Sequence, residues 1–151
     1  MNKLNMLLVG LAVSALTLIG CQPVNAAPLD IKLGYMDNNL INKEGVQLAV
    51  GTEVNNVRLG VSTLTSDKRL ETYGVYAGIP INVQGTRFTV TPNISVDRYH
   101  KIGEVVGGIG ANLEFALTPT LRIEGGGSVN RSFDSGDYSD TVYNLGLVKR
   151  F

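Results

Sequence analysis

The side chains best suited to catalysis lie around His100, the only histidine in a chain of 151 residues. Ser95 and Asp97 precede it, and a hydroxyl, an imidazole and a carboxylate form a nucleophilic triad when a fold aligns them. Neighbouring positions of one strand do not usually bring three such groups into triad geometry. A solvated loop histidine is the simpler interpretation, so we predict that the protein is not an enzyme, with lipid-acting catalysis through His100 as the alternative.

Three aspartates, Asp134, Asp137 and Asp140, share one glycine-containing loop near the C-terminus. Carboxylates at every third position can hold Ca²⁺ loosely, but this loop has neither the residue order of an EF-hand nor its closing glutamate. A single cysteine and a single histidine exclude Cys-based zinc sites and multi-histidine sites. We therefore expect a hydrophilic loop, no metal site and no cofactor.

The composition limits the class of protein. Thirteen Lys and Arg residues balance thirteen Asp and Glu residues, which excludes the overall basic charge of a nucleic-acid-binding domain. With 44% hydrophobic and 17% charged residues, the chain is too apolar to be disordered. Its length suits one domain.

The N-terminus has the pattern of a targeting segment. Lys3 precedes an apolar stretch over residues 7–19, which has the length of a signal-peptide core and is too short to span a bilayer comfortably. Residues 24–26 form a small-residue cleavage site, whereas residues 18–21 resemble a lipobox in which Cys21 would be lipidated. We predict a signal peptide over 1–26, with cleavage before Cys21 as the alternative, and one β-barrel domain over 27–151.

After residue 28 apolar residues recur with a period of two, which is typical of β-strands. Most of the runs have about the nine to eleven residues that a tilted transmembrane strand needs. Short links (54–56, 80–85 and 118–120) alternate with longer polar ones (37–43, 65–70, 98–103 and 131–140), as in outer-membrane barrels with short periplasmic turns. The eight predicted strands are 29–36, 44–53, 57–64, 71–79, 86–97, 104–117, 121–130 and 141–151.

Each predicted strand has one apolar face and one small, polar or charged face. A soluble lipocalin-like barrel would turn the apolar face inward, and the alternation alone fits that arrangement equally well. Aromatic side chains at both ends of the apolar face favour a membrane, because such rings collect at the two interfaces. The predicted girdles are Tyr35, Tyr73 and Tyr143 at the outer end and Phe88, Phe115 and Phe151 at the periplasmic end.

The polar face carries five acids and five bases. The interior of an eight-stranded barrel is just wide enough to be filled by side chains, so charges there must pair. We predict a salt-bridged, plugged lumen with a network of Lys32, Arg58, Arg87, Glu114, Arg122 and Glu124, and glycines that make room for the arginines. Four charges, Asp30, Glu53, Asp97 and Arg150, are predicted to lie in solvent at the mouths.

Two residues do not fit this pattern directly. Pro92 has no backbone N–H and lies inside a predicted strand, so we expect a bulge or a missing ladder bond there. Lys149 points to the predicted lipid side and is close enough to the chain end to extend to the interface.

The closing run, from Tyr143 through Leu145 and Leu147 to Phe151, resembles the terminal strand of small outer-membrane barrels of the OmpA/OmpX type. Lys149 departs from the usual apolar choice. Residues 114–121 also resemble a periplasmic turn of these proteins. The resemblance implies an outer-membrane location in a Gram-negative-type bacterium, recognition of the C-terminal strand by the barrel-assembly machinery, and contact with membrane lipid and lipopolysaccharide.

Together these features predict an all-β, eight-stranded, antiparallel up-and-down transmembrane β-barrel. The family includes structural anchors, adhesion and serum-resistance proteins and a few lipid-modifying enzymes, and we expect a non-enzymatic structural or surface-interaction role. The alternatives are a soluble lipocalin-like lipoprotein tethered at Cys21 and a narrow channel. Basic loop residues could contact lipopolysaccharide phosphates or a polyanionic host surface, namely Lys68, Arg69, Arg98, Lys101 and Arg131.

Overall fold

The computed structural model describes residues 27–134 and 139–151, which form an all-β structure. No helix in these two stretches is long and apolar enough to cross a membrane. The signal peptide, Cys21 and Asp137 lie outside the described residues. The strands are β1 (Leu29–Asn38), β2 (Lys43–Val54), β3 (Val57–Ser66), β4 (Arg69–Gly78), β5 (Ile81–Asn82), β6 (Phe88–Tyr99), β7 (Glu104–Ala116), β8 (Leu121–Ser132) and β9 (Ser139–Arg150).

Eight long strands close into an antiparallel barrel. Each pairs with its sequence neighbour, β1 pairs with β9, and β4 pairs with β6 across the short β5. β5 pairs only with β6. The predicted up-and-down, eight-stranded fold is therefore confirmed. We call the end where β1 begins and β9 ends the terminal end, and the opposite end the distal end.

Tight turns make two of the connections shorter than the pattern predicted. Asn55 and Asn56 join β2 to β3, and Asp67 and Lys68 join β3 to β4, all with positive φ. Two left-handed residues in a row form the hairpin turn that matches strand twist, and Asn and Asp tolerate this conformation best. The predicted loop 65–70 is thus mostly strand, whereas the link predicted as short spans 79–87 and contains β5. The predicted alternation in loop length is wrong in both places.

Pro92 lies where β6 changes partner. Its carbonyl accepts a hydrogen bond from the Ile79 amide at 3.1 Å, just beyond the last β4–β6 pair. Because both backbone groups of a strand residue point to the same neighbour, its missing donor falls at the gap between β4 and β5. One ladder hydrogen bond is therefore missing at Pro92, as expected, and the strand has no bulge there. The register shift that the structure shows lies instead between Leu64 and Thr65 in the β3–β4 pairing.

The two faces of the strands are sorted as predicted. Leu145 is 60% exposed, Ile109 is 73% exposed, and Glu114 on the opposite face is 1% exposed. Large apolar side chains therefore surround the barrel and charged ones fill it. We call the outward set the apolar belt; it includes Leu33, Leu59, Val75, Val90, Ile94, Val96, Ile109, Leu113, Val129, Leu145 and Leu147.

Candidate functional site

A cluster of ion pairs lies in the lumen toward the terminal end. Alternate residues of six strands turn their charged ends inward, and four acids meet four bases there. We call this set the charge cluster; it comprises Asp30, Lys32, Glu53, Arg58, Glu114, Arg122, Glu124 and Arg150.

Arg58 is the centre of the charge cluster. Its guanidinium contacts the Glu114 carboxylate directly and lies 3.7–3.9 Å from three other carboxylates, those of Asp30, Glu53 and Glu124. The Arg58 side chain is only 6% exposed, so bulk water screens these ion pairs little. A buried guanidinium needs such compensation because an unpaired buried charge costs several kcal/mol.

Further pairs tie the cluster across the barrel. Arg122 lies 2.7 Å from Asp30 and 3.0 Å from Glu114, which links β8 to β1 and β7. Arg150 donates two 2.9 Å hydrogen bonds to Asp30 in the bidentate geometry that favours Arg–carboxylate pairs. Lys32 donates to Glu124 at 2.6 Å. The side chains from β1 and β9 therefore bridge the seam at which the barrel closes.

The structure brings five of the six predicted network residues together and leaves one out. Arg87 is exposed, because β6 begins only at Phe88 and Arg87 stays in the connection before it. Asp30 was predicted to be solvated but is 4% exposed. Glu53 and Arg150 likewise join the cluster at its edge. Asp97 lies inside the lumen, away from these pairs.

Glycines make room for a tyrosine and amides, not for arginines as predicted. A Cβ on Gly51 or Gly60 would come within 2.5 Å of the Tyr76 hydroxyl, so this ring lies across both glycines. A Cβ on Gly126 would overlap the Asn112 amide oxygen. Tyr76 is a lumen residue that the sequence reasoning missed.

The lumen contains a cavity of about 100 Å³, and Asp30, Lys32, Arg58 and Glu124 of the charge cluster line part of it. The other walls are mostly uncharged polar groups of alternating strand positions, among them Gln47, Ser62, Ser95, Asn112, Asn130 and Asn144. Asp97 also lines it. The interior therefore divides into a charged layer and a polar layer.

Side chains from loops and strand ends meet at the distal end. The Tyr99 hydroxyl accepts 3.0 Å hydrogen bonds from the amides of Asn38 and Asn130. Ile41, in the link predicted to be polar, packs with Tyr99 and Val106 in a buried apolar group. The charge cluster thus lies toward one end of the described lumen and this apolar group toward the other.

The outward aromatic side chains lie at the two ends of the strands. Tyr35, Tyr73 and Tyr143 are exposed toward the distal end. The rings of Phe88 and Phe115 pack 5.0 Å apart at the terminal end, and Phe151 is exposed at the same end. Lys149, also outward, donates to the Thr120 hydroxyl at 2.9 Å in the terminal turn. The apolar belt therefore has aromatic and polar borders.

The candidate triad is not assembled. Residues of β6 alternate, so Ser95 and Asp97 face the lumen, whereas His100 lies beyond the strand with its ring 5.5 Å from the outward Tyr73 ring. In residues 27–134 and 139–151 no group of three His, Cys, Asp or Glu side chains is arranged to hold a metal ion. Asp134 instead accepts a hydrogen bond from the Val105 amide at 3.2 Å.

A groove at the distal rim carries basic groups. Lys43, Arg69 and Lys101 line it together with Asp67 and Glu71. Lys43 pairs with Asp67 at 3.1 Å, and Lys101 donates to a loop carbonyl, which leaves the Arg69 guanidinium exposed. All five basic residues named from the sequence are exposed, but Arg69, Arg98 and Arg131 lie at strand ends and not in loops as predicted.

Comparison with solved structures finds the same architecture. The N-terminal β-barrel domain of Pseudomonas aeruginosa OprF matches at TM-score 0.64 and 11% identity, over 83% of this chain and 98% of that one. The chain has the fold of the small eight-stranded outer-membrane β-barrels. A major outer membrane protein of Thermus thermophilus matches at TM-score 0.57 and 17% identity, over 84% of this chain and 100% of that one.

A third similar structure is a complex. Ail, the attachment invasion locus protein of Yersinia pestis, in complex with the heparin analogue sucrose octasulfate, matches at TM-score 0.55 and 17% identity, over 83% of this chain and 99% of that one. No protein-family model and no curated protein sequence matches the chain. At these identities the likeness concerns the fold.

Proposed function

We propose that this protein is a non-enzymatic outer-membrane β-barrel that serves a structural or surface-interaction role. The observation that carries the proposal is the inversion of side chains, with the apolar belt outside and the charge cluster inside. Facing water, such a belt would leave a continuous apolar surface that soluble monomers avoid. Facing hydrocarbon, it is the favourable arrangement.

In this proposal the distal end faces the exterior, and both termini face the periplasm. Residues 1–26 direct export and are removed, with cleavage before Cys21 as the alternative. The outward residues of β9, Tyr143, Leu145 and Leu147, with the exposed Phe151, are the side chains that the barrel-assembly machinery would read. Membrane lipid and lipopolysaccharide surround the apolar belt.

The filled lumen supports a closed barrel. An ion crossing it would have to displace the pairs around Arg58 and then the group around Tyr99. We expect purified protein in detergent to migrate differently before and after boiling in SDS, since folded membrane barrels resist SDS until heated, and to show no channel conductance in planar lipid bilayers.

The controls separate the alternatives. A boiled sample reconstituted into bilayers reports the background current. Identical gel mobility before and after boiling, with extraction from membranes in detergent-free buffer, would support the lipocalin-like alternative. Steady unitary conductance of the folded protein would show a channel and contradict the plugged lumen.

The distal rim supports an interaction with polyanions. Arg69 lines the groove, Lys68 precedes it in the turn, and both side chains are exposed. Guanidinium groups bind sulfate and phosphate oxygens in bidentate geometry. The similar Ail barrel was solved with a heparin analogue. We expect the protein to be retained on a heparin column at low salt and to elute as ionic strength rises.

A matched variant tests the location of this binding. Lys68→Ala with Arg69→Ala is expected to elute at lower salt than the parent protein. Arg87→Ala removes an exposed cation at the terminal end and should leave elution unchanged. If the double variant shifts only about twice as far as Arg87→Ala, in proportion to the charges removed, retention reflects overall charge and the rim has no special role.

A further inference from the structure

Of the five acids and five bases predicted for the polar face, Arg87 lies outside the barrel, which leaves five acids and four bases inside. The four acids and four bases of the charge cluster balance one another. Asp97 is a fifth acid that lines the cavity, and the group that interacts with it is the neutral hydroxyl of Ser95. Within the described part of the chain no base pairs with it. The polar layer therefore carries an uncompensated carboxylate.

The Ser95 hydroxyl that interacts with Asp97 also lies near an oxygen atom of a second strand, β8. The Asn130 amide oxygen and the Ser95 hydroxyl lie within 2.7 Å of the point where a Cβ on Gly108 would be. Asn130 is 3% exposed, and its amide nitrogen donates to Tyr99 while its oxygen has no hydrogen-bond partner in the structure. Because Asn130 also lines the cavity, this oxygen is an acceptor without a partner in the cavity wall.

We propose that the lumen binds one monovalent alkali cation between the Asp97 carboxylate, the Ser95 hydroxyl and the Asn130 amide oxygen. Hard cations take carboxylate, amide and hydroxyl oxygens. A single carboxylate supplies the one negative charge that an alkali ion neutralises, whereas divalent sites use several carboxylates.

The size and position of the cavity fit this ligand. About 100 Å³ is several times the ~10–15 Å³ that one water molecule requires, so the ion retains part of its hydration shell. The charge cluster lies on one side of the cavity and the Tyr99 group on the other. Glycine at position 74 lets the Asp97 carboxylate lie flat against the wall, because a Cβ there would overlap it. The carboxylate therefore has room beside it for a partly hydrated ion.

The test compares Na⁺ with N-methyl-D-glucamine, an organic cation too large for the cavity, at equal ionic strength. We expect protein refolded in Na⁺ to unfold about 3–8 °C higher than protein refolded in the organic cation, as ligand linkage requires. Asp97→Asn keeps the shape without the charge and should lose this difference. Asp67→Asn, an exposed acid in a distal turn, should retain it.

The same experiment can overturn the proposal. Equal unfolding temperatures of the parent protein in both salts, or an undiminished Na⁺ effect in Asp97→Asn, would exclude the site, as would a protonated Asp97 carboxyl carbon shift in ¹³C NMR at neutral pH. If Asp97→Asn does not fold, crystals of the parent protein refolded in Rb⁺ decide the question. An anomalous peak beside Asp97 supports the site, and no peak there contradicts it.

Discussion

Glu114→Gln should lower the free energy of unfolding by about 3 kcal/mol, because it removes a buried charge that compensates two arginines. Glu114 contacts Arg58 directly and lies 3.0 Å from Arg122. Breaking one partner of a buried pair typically costs ~3–5 kcal/mol. The lower end applies here because Arg58 keeps Asp30, Glu53 and Glu124 within 3.9 Å.

The measurement is reversible urea unfolding in lipid vesicles or detergent, followed by the change in gel mobility. Glu44→Gln is the matched control, since Glu44 is exposed at the distal end and accepts a hydrogen bond from Tyr35. Exposed charge interactions contribute ~0–1 kcal/mol, so this variant should stay near the parent protein. Equal losses in the two variants would mean that water reaches the charge cluster and screens it.

The sequence predicts the strands well because the signal is local. Each strand repeats its apolar side chains at every second position, and this pattern alone separates Leu145 from its lumen-facing neighbours. The same alternation identifies the charged residues that point inward. Which of them meet depends on the stagger between strands that are distant along the chain, and no local pattern encodes that stagger.

Three residues illustrate this limit. Arg87 has the parity of a lumen residue, but β6 begins after it, so its side chain never enters the barrel. Asp30 lies at the start of β1, where the sequence suggests a solvated position, yet it pairs in register with Arg150 where β1 meets β9. Tyr76 shows its place only when the register sets it opposite Gly60. A tyrosine on a polar face that is otherwise rich in glycine is the signal that sequence reasoning could have used.

Ile109→Arg tests the membrane assignment with the other large effect. Ile109 is 73% exposed near the middle of β7, at the height where the proposal places the bilayer centre. An arginine on the lipid face of a barrel costs about 2–4 kcal/mol at the midplane and about 0–1 kcal/mol near the interfaces. We therefore expect Ile109→Arg to lose about 2–4 kcal/mol of unfolding free energy in lipid vesicles.

A control at the edge of the barrel and the soluble alternative give different results. Gln84→Arg places the same side chain in the exposed connection before β6 at the terminal end, so its loss should be below about 1 kcal/mol. If the belt faced water, Ile109→Arg would replace an exposed apolar residue with a hydrated one, and its effect would stay within about 0.5 kcal/mol. Equal, small losses of unfolding free energy at the two positions would therefore show that the apolar belt does not face hydrocarbon. A large loss at Ile109 with a small loss at the control would show that it does.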